Sequence, residues 1–180
     1  MIIWINGTFG VGKTTTAHAL VTDCDDFRLF DPEEVGFMLT RSLTDQHIED
    51  FQDLSAWRAL VPVVAQQLSR HTGQSLIAVQ SVLRHSYWLE LRNTFEKLDE
   101  TILHVVLDAD AQTLKRRIDG DCIEAGARQW RLDHIGDYLV SRNWMLSDAD
   151  LVIDTRGLEP DEIARRIREG TTNLSSTLGL

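Results

Sequence analysis

Three residue types are scarce in this 180-residue chain: cysteine (two), proline (three) and lysine (three, against fifteen arginines). Cys24 and Cys122 form no CxxC pair and stand beside no second thiol, so they read as reduced thiols rather than a disulfide or metal site. Long hydrophobic runs are missing too. No segment approaches the roughly 18 to 20 apolar residues of a spanning helix, which excludes a transmembrane segment. The opening Met1-Ile2-Ile3-Trp4-Ile5-Asn6-Gly7 has no basic region and too short an apolar run for a secretory signal, so the expected compartment is the cytoplasm. Positive charge is in deficit: the net charge of −10 argues against a nucleic-acid partner, whose phosphates demand cationic neutralisation. With 43% hydrophobic and 26% charged residues the chain has an ordinary globular composition, and its length suits one domain. That domain is expected over 1–170, followed by a Thr/Ser-rich, loosely held tail at 171–180.

What is present alternates. Short apolar runs at Ile2–Ile5, Phe27–Phe30, Leu76–Val79, Ile102–Leu107 and Leu151–Ile153 have the character of strands buried in a parallel sheet. Between them lie helical spacings such as Leu54/Trp57/Leu60/Val61/Val64/Leu68, Leu114/Ile118 and Ile163/Ile167. The pattern predicts an α/β fold of three layers, with a five-stranded parallel sheet between helices. Asp31-Pro32-Glu33-Glu34 reads as an N-cap, a first-turn proline and acidic residues, so a helix begins there; Leu158-Glu159-Pro160 starts the last one. Gly120 and Gly170 sit where helix stops are expected, and Pro62 is expected to kink or divide the helix around Trp57.

Gly7-Thr8-Phe9-Gly10-Val11-Gly12-Lys13-Thr14 satisfies G-x-x-x-x-G-K-[ST] at every fixed position, after one predicted strand and before a predicted helix. Glycines let consecutive backbone N–H groups form a concave nest, and the next helix adds further donors and the positive end of its dipole. Such a loop grips a polyphosphate. Lys13 can reach the β and γ phosphates, Thr14 can place its hydroxyl on Mg²⁺, and Thr15 can add a contact.

The opening residues, this loop, Asp31-Pro32-Glu33 with Gly36-Phe37, and Asp50-Phe51-Gln52 with Trp57-Arg58 together resemble the bacterial tunicamycin resistance protein family. The likeness is dense over the first sixty residues or so and architectural afterwards. It implies a P-loop kinase-like protein that binds ATP and Mg²⁺ and acts on tunicamycin or a related nucleoside compound. The segment Leu114-Lys115-Arg116-Arg117-Ile118, with Arg128 and Arg131 beyond it, resembles the lid of adenylate-kinase-like enzymes, placed at about 116–142. Arg116, Arg128 and Arg131 are the candidates for stabilising charge on a transferring phosphoryl group. Lid kinases often repeat an arginine four residues on; here that position is Gly120.

The acceptor side is less complete. A Walker B strand ends in an aspartate, whereas Leu76–Val79 runs into Gln80-Ser81. Asp108 and Asp154 follow later strands and read as strand-end or capping residues. For Mg²⁺ that leaves Thr14, nucleotide oxygens, water and Asp31. Asp31 ends the second strand, at the sheet edge where ligands bind in open α/β folds, and is the candidate general base as well as a helix cap. Arg58 and Trp57 are candidates for substrate contact, although Trp57 falls on an apolar stripe that suits core packing. Arg41, Arg84 and His85 fall on the same side, where a lone Arg or His is more often solvated or locally paired.

Two functions follow: an ATP-dependent phosphotransferase acting on a small hydroxylated molecule, or a non-catalytic ATP-dependent binder that sequesters tunicamycin. A GTPase switch has no Asn-Lys-x-Asp signature to support it, and the Asp133-x-x-Gly136 match lies in a predicted helix.

Overall fold

The structure is a computed structural model that describes residues 1–22, 24–121 and 125–178. Five strands, β1 (Ile2–Asn6), β2 (Phe27–Phe30), β3 (Ser75–Val79), β4 (Ile102–Asp108) and β5 (Leu151–Asp154), form one sheet in the order β2-β3-β1-β4-β5. Every pairing is parallel. The helices are α1 (Lys13–Val21), α2 (Pro32–Ser42), α3 (Ser55–Thr72), α4 (His85–Lys97), α5 (Ala111–Asp119), α6 (Arg128–Asp148) and α7 (Pro160–Leu178). Among the described residues no helix is long and apolar enough to cross a membrane.

Alternation along each strand divides the core. Ile3, Ile5, Ile77, Leu103, Val105 and Leu107 face Ala17 and Leu20 of α1, Leu114 and Ile118 of α5, and Ile163 and Ile167 of α7. Ile2, Trp4, Leu76 and Ala78 face the other way, onto Trp57, Val61 and Ala65 of α3 and Trp88, Leu91 and Phe95 of α4. Period-two side chains thus bury both faces of β1, which is why its sequence is apolar throughout. Trp4 anchors the second layer, with ring centroids 5.8 Å from Trp88 and 6.3 Å from Phe95.

Register places every strand's exit at one edge. Ile5 pairs with Val79, Asn6 with Val106, Phe30 with Ala78 and Asp108 with Asp154, so the loops following all five strands open on the same side. The predicted cap at Asp31 is present: its carboxylate accepts from the Glu33 N–H at 2.9 Å, with Pro32 in the first turn.

Three expectations change. Helix α3 runs through Pro62 without division, and the proline ring is buried within it. Gly170 does not stop α7; a Cβ there would meet Leu151 Cδ2 at 3.1 Å, so the glycine serves close helix–strand approach. Residues 171–178, expected as a tail, continue that helix. Partly buried Leu174 extends the Ile163/Ile167 stripe, and Arg168 reaches the Ala19 and Leu20 carbonyls of α1 at 2.9 and 3.0 Å. Both ends of the expected 116–142 lid are also tied to the core: Ile118 is buried, as is Tyr138, whose hydroxyl donates to Asp108 at 2.5 Å. Arg142 joins Asp108 through Nε at 2.9 Å. Burial pushes the Asp108 carboxyl up, but the Arg142 and Tyr138 bonds outweigh it and hold it below the usual carboxylate range. Asp108 therefore anchors α6, whereas Asp110 caps α5 by accepting from the Thr113 N–H at 2.7 Å. Cys122 and positions 122–124 of the expected lid lie outside the described residues.

Candidate functional site

The loop between β1 and α1 owes its shape to three glycines at positive φ: Gly7 (142°), Gly10 (75°) and Gly12 (100°). Two have a second constraint. A Cβ on Gly7 would lie 2.7 Å from the Leu107 carbonyl oxygen, and one on Gly10 would lie 2.9 Å from Ile118 Cγ1. Only glycine meets both demands. Asn6 fixes the loop's entry: its Oδ1 accepts from the N–H groups of Gly7 (2.9 Å) and Val82 (3.0 Å), and its Nδ2 donates to the Val82 carbonyl at 3.2 Å. Beneath Asn6, His104 is stacked on Trp88 at 3.8 Å, with Nδ1 3.1 Å from the Asp148 carbonyl and Nε2 3.4 Å from Asn6 Nδ2. A donor at Nδ1 and an acceptor at Nε2 require a neutral ring. Burial pushes its pKa down to about 4, consistent with that form.

Lys13 curls back over the loop, its Nζ 3.2 Å from the Gly7 carbonyl, 2.9 Å from that of Thr8 and 5.4 Å from the Phe9 ring centre. Thr15 Oγ1 bonds the Gly12 carbonyl at 2.9 Å, and the Thr14 side chain is exposed. The opening turn of α1 adds backbone donors at the positive end of its dipole. This assembly has the chemistry of a phosphate cradle with a cation at its mouth.

The loop forms one wall of a cleft of about 1790 Å³. Asp31, Glu33, Glu49 and Asp50 line the far side, Gln80, Ser81, Arg84 and Tyr87 the floor, and Arg117, Trp130, Arg131 and His134 the lid side. The structure therefore brings together Thr8 through Thr15, with Lys13 and Thr14, alongside Asp31 and Arg131. Arg131 is almost buried and bonds Asp121 at 2.7 Å. Arg116 is exposed, near Thr113, and Arg128 pairs with Asp119; neither lines the cleft.

Trp57 and Arg58 are structural. Trp57 is fully buried, with Nε1 donating to the Pro32 carbonyl at 2.9 Å. Arg58 bonds Glu90 at 2.6 Å and the Gln52 carbonyl at 2.5 Å and lies over the Tyr87 ring at 4.1 Å, so it joins α3 to α4 behind cleft residues and does not itself line the cleft. His85 bonds Asp148 at 2.7 Å, and Arg41 stays on the exposed face of α2 beside Glu34.

Two residues carry roles that spacing alone did not single out. Arg117 Nη1 lies 3.4 and 3.3 Å from the Gly10 and Val11 carbonyls and 2.9 Å from Thr155 Oγ1, while Nη2 bonds the Thr155 carbonyl at 2.7 Å. It ties the phosphate loop to the turn after β5. The signal was available in α5, where buried Leu114 and Ile118 place Arg117 at the stripe's flank and Arg116 opposite it. The second is Trp130, 53% exposed, whose ring lies 4.7 Å from Phe9 and 4.1 Å from His134. These rings connect α6 to the phosphate loop.

Residues 2–120 match the AAA domain family. The fold is similar to that of the Deinococcus radiodurans tunicamycin resistance protein, with TM-score 0.71, 30% identity and coverage of 99% of this chain and 95% of that one. It is also similar to the Mycobacterium tuberculosis APS kinase (TM-score 0.63, 17% identity, 95% and 96% covered). A Sinorhizobium meliloti gluconokinase gives TM-score 0.61 at 18% identity, with 98% and 94% covered. No curated protein matches the chain. A P-loop with its glycine geometry intact on a parallel sheet of order β2-β3-β1-β4-β5, a family match over residues 2–120 and 30% identity across 99% of the chain together place this chain in the AAA domain family and in the tunicamycin resistance protein family.

Proposed function

We propose that this chain is an ATP-dependent phosphotransferase whose acceptor is a hydroxyl of a small molecule, with tunicamycin-type nucleosides as the first candidates. The observation that carries the reading is the position of Asp31 in the same cleft as Lys13 and the phosphate loop. Lys13 exchanges its Gly7 and Thr8 carbonyl partners for phosphate oxygens. Asp31 accepts the acceptor's proton as its oxygen bonds to the γ phosphorus, while the bond from that phosphorus to the leaving ADP oxygen breaks. Arg131, and Arg117 through the loop it holds, supply positive charge near the transferring group.

The residues present fit Mg²⁺ carried in by the nucleotide. Thr14 is exposed at the loop, a buried amide oxygen of Gln80 has no partner, and no group of three acidic, His or Cys side chains forms a metal cage among the described residues. Bound there, the ion would neutralise charge between the β and γ phosphates. The acidic far wall suits a neutral or cationic acceptor better than a polyphosphorylated one. The D. radiodurans relative's description as a tunicamycin resistance protein points to the antibiotic itself.

One observation favours a second reading, binding without transfer: β3 runs into Gln80 rather than a carboxylate. The assay that separates them incubates the chain with ATP, Mg²⁺ and a panel of nucleoside antibiotics and analyses products by mass spectrometry. A phosphorylated product is expected. Tight antibiotic binding with no product would replace transfer by sequestration.

A further inference from the structure

Gln80 is a buried polar side chain in the cleft with no part in the phosphoryl-transfer step itself. It follows β3, the neighbour of β1, and its N–H donates to the Ile5 carbonyl at 3.3 Å. Phe30 pairs with Ala78 on the other flank, so Gln80 stands between the phosphate loop and the strand end that presents Asp31. Its side chain lines the cleft, is 6% exposed, and has an Oε1 that is buried without a hydrogen-bond partner. The segment that carries it is held on both sides: Val82 is clamped by Asn6, and the Ser81 carbonyl accepts from Gln52 Nε2 at 2.9 Å. A buried amide oxygen carried on a tethered segment and left unsatisfied calls for a missing partner.

In P-loop nucleotide enzymes this strand end carries the aspartate that helps the loop's Ser/Thr hold the metal. We propose that Gln80 occupies that role as a neutral positioning residue. Its Oε1 would accept a hydrogen bond from a water in the hydration shell of the nucleotide's Mg²⁺, and Thr14 would offer its hydroxyl to the ion. The inference rests on the nucleotide-binding reading given above. Mg²⁺ retains several waters in such sites, so an outer-shell amide suffices to orient it, but it adds no charge. The metal is then held mainly by the phosphates, and the carboxylate at this position in other P-loop enzymes becomes a gain that can be restored.

The test measures Mn²⁺ binding by electron paramagnetic resonance on the full chain with a non-hydrolysable ATP analogue, and analogue binding in EDTA by calorimetry. Gln80→Glu is expected to raise Mn²⁺ affinity of the nucleotide complex about tenfold, and Gln80→Leu to lower it about tenfold. In EDTA the order reverses for the charged variant: Gln80→Glu weakens analogue binding by repulsion from the phosphates, and Gln80→Leu leaves it unchanged. Gln80→Met, close in shape, controls for packing and should follow Gln80→Leu. Equal Mn²⁺ affinity in all four proteins, with the analogue still bound, overturns the role of Gln80 alone. An altered acceptor KM with unaltered metal affinity overturns it too and assigns the amide to the acceptor. Failure of the unaltered chain to bind the analogue, with or without metal, defeats the nucleotide reading and this inference together.

Discussion

The two walls of the cleft are built from different materials. On the phosphate side the recognition chemistry is backbone, shaped by Gly7, Gly10 and Gly12 and tied down through Asn6, His104 and Arg117. On the acceptor side it is side chain: Asp31, Glu33, Glu49 and Asp50 on the wall, and the Arg84–Asp53–Tyr87 triad, with Arg84 2.5 Å from Asp53 and 2.6 Å from the Tyr87 hydroxyl. A backbone nest binds any polyphosphate and tolerates little change. A wall of exposed side chains can be rewritten for a new acceptor without disturbing the fold.

The largest expected effect tests that division directly. Asp31→Asn should retain ATP binding, because the phosphate wall is untouched, and lose about 10²- to 10⁴-fold in transfer rate; unchanged turnover would remove Asp31 from the mechanism. Next comes the support beneath the loop. His104 has its pKa lowered from 6.5 to about 4, so the folded chain binds fewer protons than the unfolded one between those values. Stability is therefore fully present above pH 6.5 and falls as pH drops toward 4, by up to about 3 kcal/mol. Denaturant melts across that window should show the slope, and His104→Gln should flatten it. A smaller effect distinguishes neighbours on α5: Arg117→Ala should weaken nucleotide binding about tenfold, by the loss of partly buried charge-assisted contacts to the loop, while Arg116→Ala should not, as calorimetry would record. The smallest is Arg128→Ala, an exposed ion pair removed, with a stability change of less than about 1 kcal/mol and no change in nucleotide affinity.

The same contrast explains what was legible in the sequence. The strands, the Asp31–Pro32 helix start and the phosphate loop are written in local order, since each depends on period, φ and neighbours within one turn. All five strands lie within a residue of their predicted ends. Gly170 misled because a glycine that permits close packing against Leu151 looks like one that ends a helix. Arg58 misled for another reason: whether an arginine faces a ligand or Glu90 depends on how α4 packs on α3. In the sequence Gln80 shows only as the absence of an aspartate; its burial and its unpartnered oxygen emerge when β3 is set beside β1.

The contact of Arg168 with the Ala19 and Leu20 carbonyls joins residues 149 and 148 positions apart, at the far end of the helix that opens at Lys13. During synthesis the phosphate-binding motif leaves the ribosome before α7, so the cation that caps its helix arrives only after all five strands have been made. A ribosome-stalled fragment that stops at β5 therefore carries the motif complete and its brace missing.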